Sequence, residues 1–172
     1  KLKVKLSLFE VLTLIYVLAA AKAKCSYNLL ESGMLYKKDS TNIFTKPLLQ
    51  ACTNLNKQHL DWVSPRTINE ICKQKVGYLS QNTKIYVGKQ RPVTLKIIKK
   101  ILRKNASDKE FYGSWKIVKK KNKRYYKDKE NFFILSSKHI NSEGLWENVG
   151  LAIKVALDLG VKEKTIKKTI PK

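Results

Sequence analysis

Thr67-Ile68-Asn69-Glu70-Ile71-Cys72-Lys73-Gln74-Lys75-Val76-Gly77, followed by Ile85-Tyr86-Val87-Gly88 and then by Pro92, is the stretch on which the fold turns. Thr67 is a good helix N-cap, and Glu70 three residues later supplies the second arm of a capping box. Ile68, Ile71, Cys72 and Lys75 then share one face, and Gly77 ends the helix. Ile85-Tyr86-Val87 reads as a strand closed by Gly88. Pro92 suits a first helical turn and opens a helix to Lys104, with Leu95, Ile98 and Leu102 as its buried stripe.

Upstream the same alternation continues. Leu48 to Thr53 reads as a strand with Pro47 at its mouth, where a missing N–H is tolerated. The polar loop Asn54 to His59 follows it. Tyr27-Asn28-Leu29-Leu30-Glu31 reads as a short, mostly buried strand ending at Ser32-Gly33. Before it, Leu8, Val11, Leu12, Ile15, Leu18 and Ala19 recur at helical spacing, as in a core helix. Helices alternating with strands from Leu8 to Lys104 imply an α/β domain: a partial, mainly parallel sheet with flanking helices. From Phe111 the pattern changes. Trp115 to Val118 and Asn131 to Leu135 flank a Lys- and Tyr-rich stretch, predicting a β-hairpin region near 111–137. Helices return over Leu145 to Leu159, ended by Gly160, and over Glu163 to Thr169.

The net charge of +23 invites a nucleic-acid reading, because lysines that neutralise phosphates release counterions. The hydrophobic content of 43% argues instead for a folded domain with a real core. Only Arg66, Arg91, Arg103 and Arg124 supply the planar fork that grips phosphate or reads guanine. The lysines are scattered, with one dense run at Lys119 to Arg124. Solvated lysine-rich faces are the simpler account, leaving nucleic acid as a weak, nonspecific partner.

The basic start Lys1 to Lys5, the apolar stretch and the Ala-rich end before Cys25 imitate a secretory signal. Glu10 lies near the start of the apolar stretch, and Val11 to Ala21 is too short to span a bilayer, so a buried helix and no membrane partner are expected. Cys25, Cys52 and Cys72 are widely spaced and odd in number, which suits neither a metal cluster nor a disulfide framework. Buried thiols in a reducing cytoplasm fit better.

In open α/β sheets ligands bind beyond the carboxyl ends of the strands. Glu31 and His59 are expected there, and a carboxylate beside an imidazole can hold a divalent metal, with Glu31 as the hard oxygen ligand Mg²⁺ prefers. Structural or solvent-facing roles for a lone Glu and a lone His are the alternative.

Further residues extend the pattern. Ser7-Leu8-Phe9-Glu10-Val11-Leu12-Thr13, Leu30-Glu31-Ser32-Gly33 and Asp39-Ser40-Thr41-Asn42 resemble the Phe-Glu-x-Leu-Thr helix, Glu-x-Gly strand end and Asp-Ala-Thr-Asn loop of folylpolyglutamate/dihydrofolate synthases, of the Mur ligase superfamily. Thr53 to Leu60 resembles the following strand and its Asp-His loop, and Thr67 to Gly77 the family's Thr-x-x-Glu-Ile-x-x-Glu-Lys-x-Gly helix. Val87-Gly88-Lys89-Gln90 matches its Gly-x-Gln. Asn148-Val149-Gly150-Leu151-Ala152 resembles the Asn-x-x-x-Ala helix shared with Mur ligases. The resemblance spans nearly the whole chain and is weakest from Lys104 to Ile140.

The resemblance implies a Mur-ligase-type central domain and a cytoplasmic ATP-dependent ligase that adds glutamate to folate, or makes dihydrofolate from dihydropteroate, through an acyl phosphate. It implies Mg²⁺ and ATP, with Glu31 and His59 as metal ligands, Lys75 as the lysine that carries a carbamate, and Asn148 facing adenine. Lys75 has the alternative of an ordinary helix lysine, and Asn148 that of a polar residue near a helix start. Residues 1–172 would be an incomplete central ATPase domain, lacking the family's phosphate loop and its carboxy-terminal glutamate-binding domain, and inactive alone. The chain departs from the family pattern in four places. Gln58 stands for Asp, Gln74 for Glu, Tyr36-Lys37-Lys38 for a Gly-Gly-Arg turn, and Gly144 for a histidine. Two other classes compete: a basic nucleic-acid or ribosome-associated module built on Trp115 to Tyr126, and a degenerate, non-catalytic ligase homologue.

Overall fold

The computed structural model describes residues 5–170; residues 1–4, part of the basic start, and 171–172 lie outside them. Its centre is a parallel sheet of β1 (Leu49–Cys52), β2 (Lys84–Val87) and β3 (Lys109–Phe111), in that order. β2 lies between the others, with Gln50 opposite Ile85 and Tyr86 opposite Glu110. Parallel strands are covered on both faces, and β2 shows how. Ile85 and Val87 point to one side and Tyr86 to the other, and all three are buried.

The side of Ile85 and Val87 is covered by α2 (Ile68–Val76) and α3 (Pro92–Leu102). Cys72, Val76, Ile98 and Leu102 join Cys52, Leu55, Ile85 and Val87 in one core. Thr67 caps α2 by accepting the Glu70 N–H at 3.2 Å, but the return arm of the expected capping box is missing. The Glu70 carboxylate is instead occupied by Gln74 at 2.8 Å and Lys73 at 3.3 Å.

On the Tyr86 side lie α4 (Glu143–Asp158), α5 (Glu163–Thr169) and a second sheet. This is an antiparallel meander of β4 (Lys116–Lys120), β5 (Lys123–Lys127) and β6 (Phe132–Leu135). The Lys- and Tyr-rich stretch of the expected hairpin region forms the middle strand. Lys121 and Asn122, with φ of 44° and 59°, make the tight turn that two-residue hairpins favour. Trp115, fully buried, fills the space between the layers and meets Tyr86 and Tyr112 edge-on.

Two expectations are corrected. Tyr27 to Glu31 forms no strand: no neighbouring strand pairs with it, and Leu29 is 93% exposed. The helix α1 (Leu8–Ala23) does form, but it is not a core helix, because Thr13 is its only buried residue. No described helix is long and apolar enough to cross a membrane.

Candidate functional site at the strand ends

The carboxyl ends of β1 and β2 are joined by one side chain. Gln90 accepts the Leu55 N–H at 2.9 Å and donates to the carbonyls of Thr53 at 2.8 Å and Gly88 at 3.2 Å. Asn54 adds a bond to the Lys89 carbonyl at 2.9 Å. The loop after β1 is therefore fixed to the loop after β2, and it leads to His59. His59 is exposed and adopts a left-handed backbone, with φ of 59° and ψ of 30°. Such a conformation is uncommon outside glycine and is concentrated where a side chain must be aimed.

α4 closes the same end. It runs against β2, with Lys89 pairing with Glu147 at 2.6 Å beyond the strand's carboxyl end and Lys84 with Asp158 at 2.7 Å at its start. Between them the backbone of Gly88 faces Leu151, and a Cβ at position 88 would lie 3.4 Å from the leucine methyl. Asn148, the residue after Glu147, is exposed on this part of the helix.

Lys75 is half-buried near the end of α2. Burial pushes the Cys52 thiol up to about 12, the Cys72 thiol adds to this, and the positive charge of Lys75 opposes both. Glu31 is placed differently from expectation. It sits in an exposed loop after the unpaired segment Tyr27 to Leu30 and not at a strand tip. The loop downstream is ordered by Asp39, which accepts the N–H groups of Met34 and Thr41 and the Thr41 hydroxyl.

Lys89, Gln90 and Glu147 thus meet beyond the carboxyl end of β2; His59 follows the braced Leu55 by four residues, and Asn148 follows Glu147 in α4. Among the described residues no group of three or more His, Cys, Asp or Glu is assembled for a metal. Glu31 offers a hard oxygen and His59 an imidazole; both are exposed, and no described side chain is bonded to either. The structural use of Gln90 was not legible beforehand, although its Gly-x-Gln setting was.

No protein-family model matches this chain, and no curated protein sequence matches it. Solved structures do. A complex titled as folylpolyglutamate synthase with AMPPCP and folate superposes with a TM-score of 0.84 at 17% identity, over 98% of this chain and 44% of that one. The chain has the folylpolyglutamate synthase fold. The enzyme of that name from Thermotoga maritima gives a TM-score of 0.79 at 25% identity, over 94% of this chain and 38% of its own. E. coli FolC, in complex with ADP, gives 0.81 at 20% identity, over 98% and 40%. The chain therefore spans about two fifths of the length of these structures. The motif resemblance agrees with the folylpolyglutamate synthase fold over almost every described element, including the meander, where the sequence resemblance is weakest.

Proposed function

We propose that this chain is part of the ATPase domain of an ATP-dependent carboxylate–amine ligase that adds glutamate to a folate. The supporting observation is the convergence of the loops after β1 and β2, locked by Gln90 beside α4, at the sheet end where α/β folds bind ligands. Among the structures sharing this fold is one titled as holding an ATP analogue and folate.

In the proposed reaction a folate carboxylate oxygen attacks the γ-phosphorus of ATP, giving an acyl phosphate and ADP. The glutamate amine then attacks the acyl carbon, the carbon–oxygen bond to phosphate breaks, and the amine loses a proton as the amide forms. Mg²⁺ held by Glu31 and His59 would supply charge neutralisation at the phosphates. Lys75, carbamylated by CO₂, would present an oxygen anion where an ammonium stood. Asn148 would orient the base through its amide, on a helix fixed by Lys89 and Glu147. The isolated 172-residue chain would not turn over ATP in response to folate and glutamate.

Mn²⁺, a paramagnetic stand-in for Mg²⁺, tests the metal assignment on the isolated chain. Amide NMR signals around Glu31 and His59 are expected to broaden together as Mn²⁺ is added, and Glu31→Gln or His59→Ala to abolish the effect at both. Broadening at only one residue, or at neither, refutes the shared site. For Lys75, ¹³C-bicarbonate should give a carbamate signal that disappears in Lys75→Arg.

A further inference from the structure

α1 is a well-formed helix with nothing broad packed on it. Ser7 and Glu10 make a reciprocal capping box, the Ser7 N–H donating to Glu10 at 2.7 Å and the Glu10 N–H to the Ser7 hydroxyl at 3.3 Å. Apolar residues encircle the helix, yet Leu8 is 76% exposed and Leu12, Leu14, Ile15 and Leu18 are each more than half exposed. A helix apolar on all sides belongs in an interior. Thr13 and Tyr16 hold it by polar bonds, Thr13 to Ser40 at 2.8 Å and Tyr16 to the Leu29 carbonyl at 3.1 Å.

The segment bonded to Tyr16 carries the second observation. Tyr27 to Glu31 has the composition of a buried strand but no ladder: its one described bond from another element is that from Tyr16 to the Leu29 carbonyl, and Tyr27 and Leu29 are exposed. The parallel sheet is also open along β1, which pairs only with β2 among the described strands.

We infer that α1 and Tyr27–Glu31 form a docking surface for the complementary part of the same α/β fold, a polypeptide supplying a β-strand to residues 27–31 and apolar side chains to α1. This rests on the fold assignment made above, since the matching structures contain more than twice the length this chain spans. Other occupants fit less well. A second copy would bring another net charge of +23 against the first. An interfacial membrane helix needs one charged face, and a spanning helix about 20 residues, whereas α1 has 16 and carries only Glu10 and Lys22 as charges. Nearly neutral α1 also offers nothing to a nucleic acid.

The whole 172-residue chain is the material for the test, and the probe is the part of E. coli FolC outside the region shared with this chain, made as a separate polypeptide. Alone, the chain should exchange the amides of 27–31 at an unprotected rate while α2 and α3 are protected. With the probe, a 1:1 complex insensitive to salt is expected, with exchange at 27–31 slowed about tenfold or more. Leu29→Asp and Ile15→Glu, at exposed positions, should each weaken that complex about tenfold or more without lowering the chain's own Tm. Protection of 27–31 in the free monomer would overturn the inference. So would no complex, a self-dimer that covers the segment, or binding only to phosphatidylcholine–phosphatidylglycerol vesicles. A complex that forms while the Mn²⁺ experiment fails would leave the docking surface standing and remove the metal site.

Discussion

Gln90 receives the N–H of Leu55 on its side-chain oxygen at 2.9 Å, so a residue after β2 fixes the loop after β1. Its amide nitrogen uses its two donors on Thr53 and Gly88. Both amide donors and the oxygen are thus bonded to backbone from the two strand ends, and Leu55 is itself buried.

Gln90→Ala should therefore cost about 2 kcal/mol, because truncation strands a buried N–H and frees two carbonyls. Gln90→Glu keeps the acceptor but loses both donors, and should fall between wild type and the alanine variant. Thermal melts give the ranking, and faster exchange of the Leu55 amide in Gln90→Ala checks that the loop is what loosens. Equal melts for all three proteins would show that the brace is idle.

His59 separates backbone strain from side-chain chemistry. An L-residue at φ of 59° sets its Cβ against its own backbone, at a cost of about 1 kcal/mol that glycine avoids. Glycine's extra freedom in the unfolded chain cancels part of that gain. His59→Gly should consequently be about 0.5 kcal/mol more stable than His59→Ala. Both should lose the Mn²⁺ response, as imidazole is missing from each. A glycine variant that still binds Mn²⁺ would show that the strained histidine is not a ligand.

Elements whose signals are local were legible. Pro92 starts α3, Gly77 caps α2, and Lys84–Val87 and Leu49–Cys52 are strands within a residue or two of the expected limits. β3 was not foreseen, since Lys109-Glu110-Phe111 has only three residues and two charges. What makes it a strand is pairing with β2, a tertiary effect. Tyr27 to Glu31 failed in the opposite sense: the composition is strand-like, but a ladder needs a neighbour and none pairs with it. The site divides the same way. The Gly88-Lys89-Gln90 run was readable from its motif, whereas the Gln90 brace and the Lys89–Glu147 pair join residues 35 and 58 positions apart.

Gln74 has a structural use of its own in α2. Its amide donates to the Glu70 carboxylate at 2.8 Å, and this bond is the main reason the Glu70 carboxyl is held below its usual range. Glutamate at position 74 would place two carboxylates one helical turn apart. Gln74→Glu should lower stability by about 0.5 kcal/mol at neutral pH. The penalty should fade below about pH 4, where both acids take up protons. Urea titrations of both proteins at pH 7 and pH 3.5 check it, and a penalty that grows in acid would contradict the account.

Asp158 is the residue whose ionisation should matter most to the fold. Burial pulls its carboxyl upward, but bonds from Lys154 at 2.9 Å, Lys84 at 2.7 Å and the Tyr86 hydroxyl at 2.7 Å prevail and hold it down at about 2. Lys84 and Lys154 also reach Glu110, each at 3.1 Å, so the end of α4 is tied to the starts of β2 and β3. A carboxyl more acidic in the folded chain than in the unfolded one adds stability that is complete above about pH 4 and is lost as pH falls toward 2. After allowance for solvent screening, about 1 kcal/mol is at stake. Asp158→Asn should lower the Tm by about 3 °C at pH 7, with a correspondingly flatter fall between pH 4 and pH 2. Lys84→Met should lower it too, because the Asp158 carboxylate would keep its burial and lose one of its counter-charges. If Asp158→Asn melts like wild type at pH 7, the clamp on α4 must lie in apolar contacts such as Leu151 against Gly88 and not in these charges.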